Sequence, residues 1–206
     1  FPVDEILKFY YTGVQFKEME KPTYSKPLVG KIIAVDPGHG GASGSLGPMG
    51  LSEGYVNLEI SKLVAEGLTK QGAKVFITRE KNEFVSLSER VRFCNDRKPD
   101  IAVSIHQNMF GDPAMGGTET FYYLGDAEGK RISEYVHREA VSALMLKDHG
   151  VKAADLYILR ETNSPAVLIN IAFLSNPEEE RLLSEPKFRQ RAAKAIISGI
   201  QAYYQS

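Results

Sequence analysis

From Lys31 to the C-terminus, short continuous apolar runs alternate with longer stretches in which apolar residues recur every three or four positions. KIIAVD, ending at the turn PGHGG, is predicted as a buried strand running into a loop that only glycines permit. Val56, Ile60, Leu63, Val64 and Leu68 then mark one face of a helix, with Gly72 as its stop. KVFIT is a second strand. Ser86 with Glu89 makes a capping-box pattern, opening a helix whose Leu87, Val91 and Cys94 lie along one face. IAVSI is a third strand, ending at His106, and the loop QNMFGDPAMGG leads into TETFYY as a fourth. A helix with Ile132, Val136, Ala140 and Leu144 on one stripe follows, then short strands around Tyr157 to Leu159 and Ala166 to Ile171. Asn176 and Pro177, with Glu178, Glu179 and Glu180 in the first turn, start another helix. The last helix buries Phe188, Ala192, Ile196, Ile200 and Tyr203.

Strands separated by helix-length segments imply an α/β domain: three layers, a mostly parallel twisted sheet with helices on both faces. At 206 residues the chain suits one such domain plus an extension. Residues 1–29 carry a mixed apolar and charged stretch and then KEMEKPTYSKP, which reads as an N-terminal extension or linker, leaving residues 30–206 as the domain proper. The chain opens on Phe1, which a removed leader or a trimmed start would both explain. A formal net charge of −1, with acidic and basic residues interspersed, argues against a nucleic-acid surface. No apolar run approaches the roughly 20 residues needed to cross a bilayer, so membrane insertion is not expected. The single Cys94 excludes an internal disulfide framework.

In sheets of this kind the binding crevice lies beyond the carboxyl ends of the strands. His39 falls just after the first predicted strand, His106 just after the third, and Glu53 at the start of the first long helix. Two imidazoles and one carboxylate meeting at a point would bind Zn2+ and leave a position open for water. The ion would acidify that water and polarise a substrate carbonyl.

DPGHGG, the glutamate of GLSEGYVNL, SIHQN and PAVLINIAFLSNPEE, in this order, resemble the zinc-dependent N-acetylmuramoyl-L-alanine amidases of the Amidase_3 family. The similarity runs from about residue 30 to 205 and includes VFITRE and HGVKAADLYILR. It implies cleavage of the amide between N-acetylmuramic acid and L-alanine of the peptidoglycan stem peptide, in an extracytoplasmic setting: periplasm, cell wall or secreted. It also implies His39, Glu53 and His106 as metal ligands, peptidoglycan or a muropeptide as partner, and a protein regulator as a further partner. The family pattern has a glutamate in PAVLINIAF where this chain has Asn170, so the catalytic position is filled by an amide. Ala166, Leu168 and Asn170 share one strand face, so a polar group interrupts an apolar strand at its sheet end. An amide can orient water but cannot carry its proton. The alternative is a catalytically silent protein of the same fold that binds cell-wall fragments or a protein partner.

Other polar residues have plainer readings. Asn108 either donates to substrate or stabilises its own turn. Glu119 and Glu161 are acids that the sequence does not place near the metal. Arg79 and Arg90 are expected to be structural, His137 and His149 solvated, and Glu178 to Glu180 a helix-start charge cluster. The substrate cleft is expected between the loops after the first and third strands and the 107–117 loop.

Overall fold

The structure, a computed structural model, describes residues 26–206. A six-stranded sheet is formed by β1 (Ile32–Pro37), β2 (Lys74–Ile77), β3 (Ile101–Asn108), β4 (Thr118–Tyr122), β5 (Asp148–Ala153) and β6 (Ala166–Phe173), in the order β2-β1-β3-β6-β4-β5. All neighbours are parallel except β4 and β6, which run antiparallel. The helices are α1 (Glu53–Lys70), α2 (Leu87–Arg97), α3 (Ala127–Leu144), α4 (Tyr157–Glu161), α5 (Pro177–Ser184) and α6 (Pro186–Gln205). The expected α/β architecture, with helices on both faces, is the one observed.

Alternation along the strands sorts the two faces. Ile33 and Val35, Ile101, Val103 and Ile105, and Val167, Ile169 and Ile171 form the larger core with apolar residues of α1, α3 and α6. Helices α3 and α6 approach closely because Gly199 has no side chain: a Cβ there would lie 2.5 Å from the Val136 Cα. The opposite face, Ala34, Ala102, Ala166 and Leu168, is covered more thinly by Val91 and Cys94 of α2 and Ile158 and Leu159 of α4. Continuing along that second face to the carboxyl ends of the strands gives Asp36, Ser104, His106 and Asn170. The polar residues of interest thus lie where the thinner layer stops and the strands run out.

The helix ends form as their sequences require. Ser86 and Glu89 make the full reciprocal capping box, and Asn176 accepts from the backbone N–H groups of Glu178 and Glu179. Three expectations are corrected. Tyr157 to Leu159 open a short helix instead of a strand. The missed strand is β5, an edge strand reading DHGVKA with no fully buried residue; it lacks the apolar run that announces an inner strand. Leu87, expected to be buried on α2, is 55% exposed. The proposed 1–29 extension lies outside the described residues as far as position 25; of the remainder, Leu28 is fully buried in the larger core and its N–H donates to the Gln71 carbonyl. Burial of that one leucine is worth roughly 1.5–3 kcal/mol.

Candidate metal centre

Three separate elements bring His39, Glu53 and His106 together. His39 sits in the loop leaving β1, with φ 56°, a left-handed conformation that non-glycine residues rarely adopt. Such a residue costs on the order of 1–3 kcal/mol and persists where its surroundings determine it. Gly38 before it leaves room for the neighbouring imidazole: a Cβ at Gly38 would lie 2.2 Å from the His106 ring. Glu53 is the first residue of α1, after the N-cap Ser52, and is 2% exposed. His106 leaves the carboxyl end of β3 on the thinly covered face.

The Glu53 Oε1 lies 3.5 Å from His39 Nε2 and 3.3 Å from His106 Nδ1, and one ligand atom from each residue lies within 4.8 Å of the other two. Two ligands about 2.0–2.1 Å from one ion at a tetrahedral angle are about 3.3–3.4 Å apart. The separations therefore fit a small divalent cation. Burial lowers the His39 pKa, outweighing the opposing pull of Glu53, and the charges of His106, Arg90 and Arg79 act in the same direction as burial. This favours the neutral imidazole that coordinates metal. Glu53 is pushed up by burial but ends below the usual carboxylate range because His106, His39 and the Ser45 N–H favour its charged form.

A buried polar scaffold holds this loop. Asp36 accepts from Thr78 Oγ1 at 2.5 Å, Arg90 Nη1 at 2.7 Å and Ser104 Oγ at 2.8 Å. Arg90 also donates to the carbonyls of Pro37 and His39, both at 2.6 Å. Arg79 donates to the carbonyls of Pro37, Gly38 and Gly54 at 3.0, 2.9 and 2.7 Å, tying the β1 loop to the start of α1. Asn57 donates to the Gly38 carbonyl and accepts from Gln107 Nε2 at 3.1 Å. These donors satisfy the carbonyls of the β1 loop, with two of them on each of Pro37 and Gly38. Arg79 and Arg90 are structural, as expected, but the structure they hold is the ligand loop itself. Asp36, Asn57 and Gln107 lie within the motifs DPGHGG, GLSEGYVNL and SIHQN, but the sequence alone assigns none of them a role.

Asn170 on β6 pairs in register with His106 on β3 and, on its other side, with Glu119 on β4. Its Nδ2 donates to Glu119 Oε1 at 3.1 Å.

The chain matches the family Amidase_3, N-acetylmuramoyl-L-alanine amidase, over residues 33–202. It belongs to that family. Among relatives, the Bacillus subtilis protein YqiI is 36% identical over 184 residues, covering 87% of this chain and 88% of its own length. N-acetylmuramoyl-L-alanine amidase LytC of B. subtilis is 36% identical over 181 residues, 86% of this chain but 36% of LytC, so the chain spans about a third of that relative. Among solved structures, the CwlD amidase from Clostridioides difficile, in complex with the GerS lipoprotein, superposes with a TM-score of 0.82 at 30% identity, covering 85% of this chain and 98% of that one.

In this amidase-family chain the remaining polar residues sort clearly. Asn108, expected as a substrate contact, has both ends of its amide engaged internally: Nδ2 donates to Glu119 Oε1 and Oδ1 accepts from Met109 N–H at 2.8 Å. Glu161 is exposed on α4 and paired with Arg160. His137 is buried, not solvated, bridging Thr120 Oγ1 at 3.0 Å and Asp148 at 2.8 Å. His149, also expected in solvent, is half-buried and its Nε2 lies 2.8 Å from the Gly116 carbonyl oxygen. Glu179 and Glu180 exceed the helix-start role: both are buried, Glu179 accepting from the Phe173 N–H and Glu180 from the N–H groups of Met49 and Leu51.

A cleft of about 610 Å³ opens beside the two histidines, walled by Phe84, Val85, Leu87, Tyr157 and Ile158. That wall comes from the N-terminus of α2 and from α4, where the expected boundary was the 107–117 loop. Leu87 is exposed because it faces this cleft.

Proposed function

We propose that the protein is a zinc-dependent N-acetylmuramoyl-L-alanine amidase domain that hydrolyses the bond between N-acetylmuramic acid and L-alanine in peptidoglycan, with turnover limited by Asn170. The observation that carries the reading is the clustering of His39, Glu53 and His106, with ligand atoms within 4.8 Å of one another, in a chain of the amidase family. Two imidazoles and one carboxylate are the donor set of a catalytic zinc site with one position left open. When bound, zinc supplies Lewis acidity toward a carbonyl oxygen and acidifies water. Peptidoglycan as substrate puts the working location outside the cytoplasmic membrane, and no helix among the described residues is long and apolar enough to cross a membrane.

The chain's own residues divide the remaining work. His39 and His106 would offer ring nitrogens to the ion, and Glu53 a carboxylate oxygen. The cleft wall of Phe84, Leu87 and Tyr157 receives the apolar parts of the substrate. The step that wants a carboxylate takes a proton from the attacking water and returns it to the departing amine, work that contributes typically about 10²- to 10⁴-fold. Asn170 occupies the neighbouring strand position and can only donate or accept hydrogen bonds.

Stem-peptide release from muropeptides by zinc-loaded protein, compared with its Asn170→Glu variant, tests the reading. We expect the variant to be faster by roughly 10²- to 10⁴-fold. Equal, fast rates would remove Asn170 from the account. Inertness of both, with zinc bound, would favour the second reading, a silent binding form that captures cell-wall fragments. Asn170 is the observation that keeps that reading in play.

A further inference from the structure

A row of polar side chains crosses the sheet at its functional end. His106, Asn170 and Glu119 are successive Cα partners on β3, β6 and β4, and side chains of directly paired residues point to the same face of the sheet. Glu119 is 7% exposed. Its Oε1 accepts from the side-chain amides of Asn108 and Asn170, and its Oε2 from Lys152 Nζ at 2.8 Å.

A carboxylate only accepts, so chemistry decides which way the Asn170 amide faces: its NH₂ turns to Glu119 and its carbonyl away. Among the described residues no donor meets the Asn170 Oδ1, whereas the Oδ1 of Asn108 is taken by the Met109 N–H. The free acceptor lies on the strand next to His106. Glu119 is itself fixed by these three donors, two on Oε1 and one on Oε2.

We propose that Glu119 is a positioning residue: it locks the Asn170 amide so that Oδ1 faces the metal-ligand row and accepts an amide N–H of the bound muropeptide. The inference rests on the amidase-type substrate proposed above. It makes this edge of the site a neutral acceptor that orients substrate, a task for which asparagine suffices although proton transfer is beyond it.

The test uses the zinc-loaded chain, a soluble muropeptide and Glu119→Gln, which preserves size but frees the amide to rotate. We expect muropeptide affinity to fall about tenfold, as for loss of one oriented hydrogen bond, with zinc content unchanged. Asn170→Leu, which removes the acceptor, should lose about as much, and the double variant no more, because the two residues act as one unit. The Asn170 side-chain NH₂ signals of the unaltered protein should show one proton shifted downfield and slow to exchange, and Glu119→Gln should abolish this. If Glu119→Gln binds as tightly as the parent, the inference is overturned while the amidase reading stands; if the parent itself binds no muropeptide, both fall. Should Glu119→Gln fail to fold, the parent spectrum decides: an unprotected Asn170 NH₂ overturns the proposal.

Discussion

Asp36 shows how one buried residue supports the candidate ligands without being one of them. Its carboxylate neutralises Arg90, and Arg90 in turn holds the His39 carbonyl, so the left-handed turn that presents the imidazole is braced from beneath. Burial pushes the Asp36 pKa up, but the Arg90 charge and the hydrogen bonds from Thr78 and Arg90 outweigh it and leave the value below normal. Asp36→Asn would strand a buried guanidinium and should cost about 3–5 kcal/mol, read from urea unfolding at neutral pH. A folded pKa below the unfolded one means that the ionised carboxylate's contribution is complete above the unfolded value of about 3.9 and fades as pH falls through the folded value. The stability gap between parent and Asp36→Asn should therefore be flat from neutrality to about pH 5 and shrink below about pH 4. A gap that instead grows on acidification would show that Asp36 is not held as the anion.

At the scale of elements, α2 forms both a structural cover and a wall of the cleft. Its capping box lies at the cleft edge, since Val85, Ser86 and Leu87 line the cavity while Val91 and Cys94 anchor the helix beneath. Ser86→Ala removes the acceptor for the Glu89 N–H and should cost about 1 kcal/mol. Amide exchange should quicken in the first turn of α2 and remain unchanged in α1, which has its own cap at Ser52. The capping box was legible in the sequence because it is local: four residues contain it. The inner strands and long helices were legible for a similar reason, since burial on both faces or along one stripe writes a regular pattern. Strand β5 writes none, because an edge strand with Gly150 inside it has little to bury. Missing β5 also hid why His137 is buried, since Asp148 comes from that strand. His39, Glu53 and His106 could be named from motifs, but the neighbours of Asn170 could not. Alternation says which face a residue takes, whereas the pairing of Glu119 with Asn170 depends on β4 running antiparallel beside β6, 51 positions away along the chain.

For the molecule as a whole, the candidate ligands join parts that also meet through packing and through the hydrogen bonds of Arg79, Asn57 and Gln107. His39 belongs to the β1 loop, Glu53 to the first turn of the helix on the larger core, and His106 to the end of a central strand. A cation held by all three would bind the folded chain and not the unfolded one, so its stabilisation follows mass action: about 4 kcal/mol at a free concentration 1,000 times its Kd. For a domain of this size each kcal/mol moves the Tm by about 2–4 °C, giving an expected rise of roughly 8–16 °C on zinc loading and its reversal on chelation. His106→Ala should abolish most of that rise while leaving the metal-free melting point nearly intact, because its ring is not part of either hydrophobic core. Asn170→Glu should leave the rise almost unchanged if residue 170 acts on substrate and solvent instead of on the ion. A rise that survives His106→Ala would place the cation elsewhere, and one that disappears in Asn170→Glu would make position 170 part of the metal site.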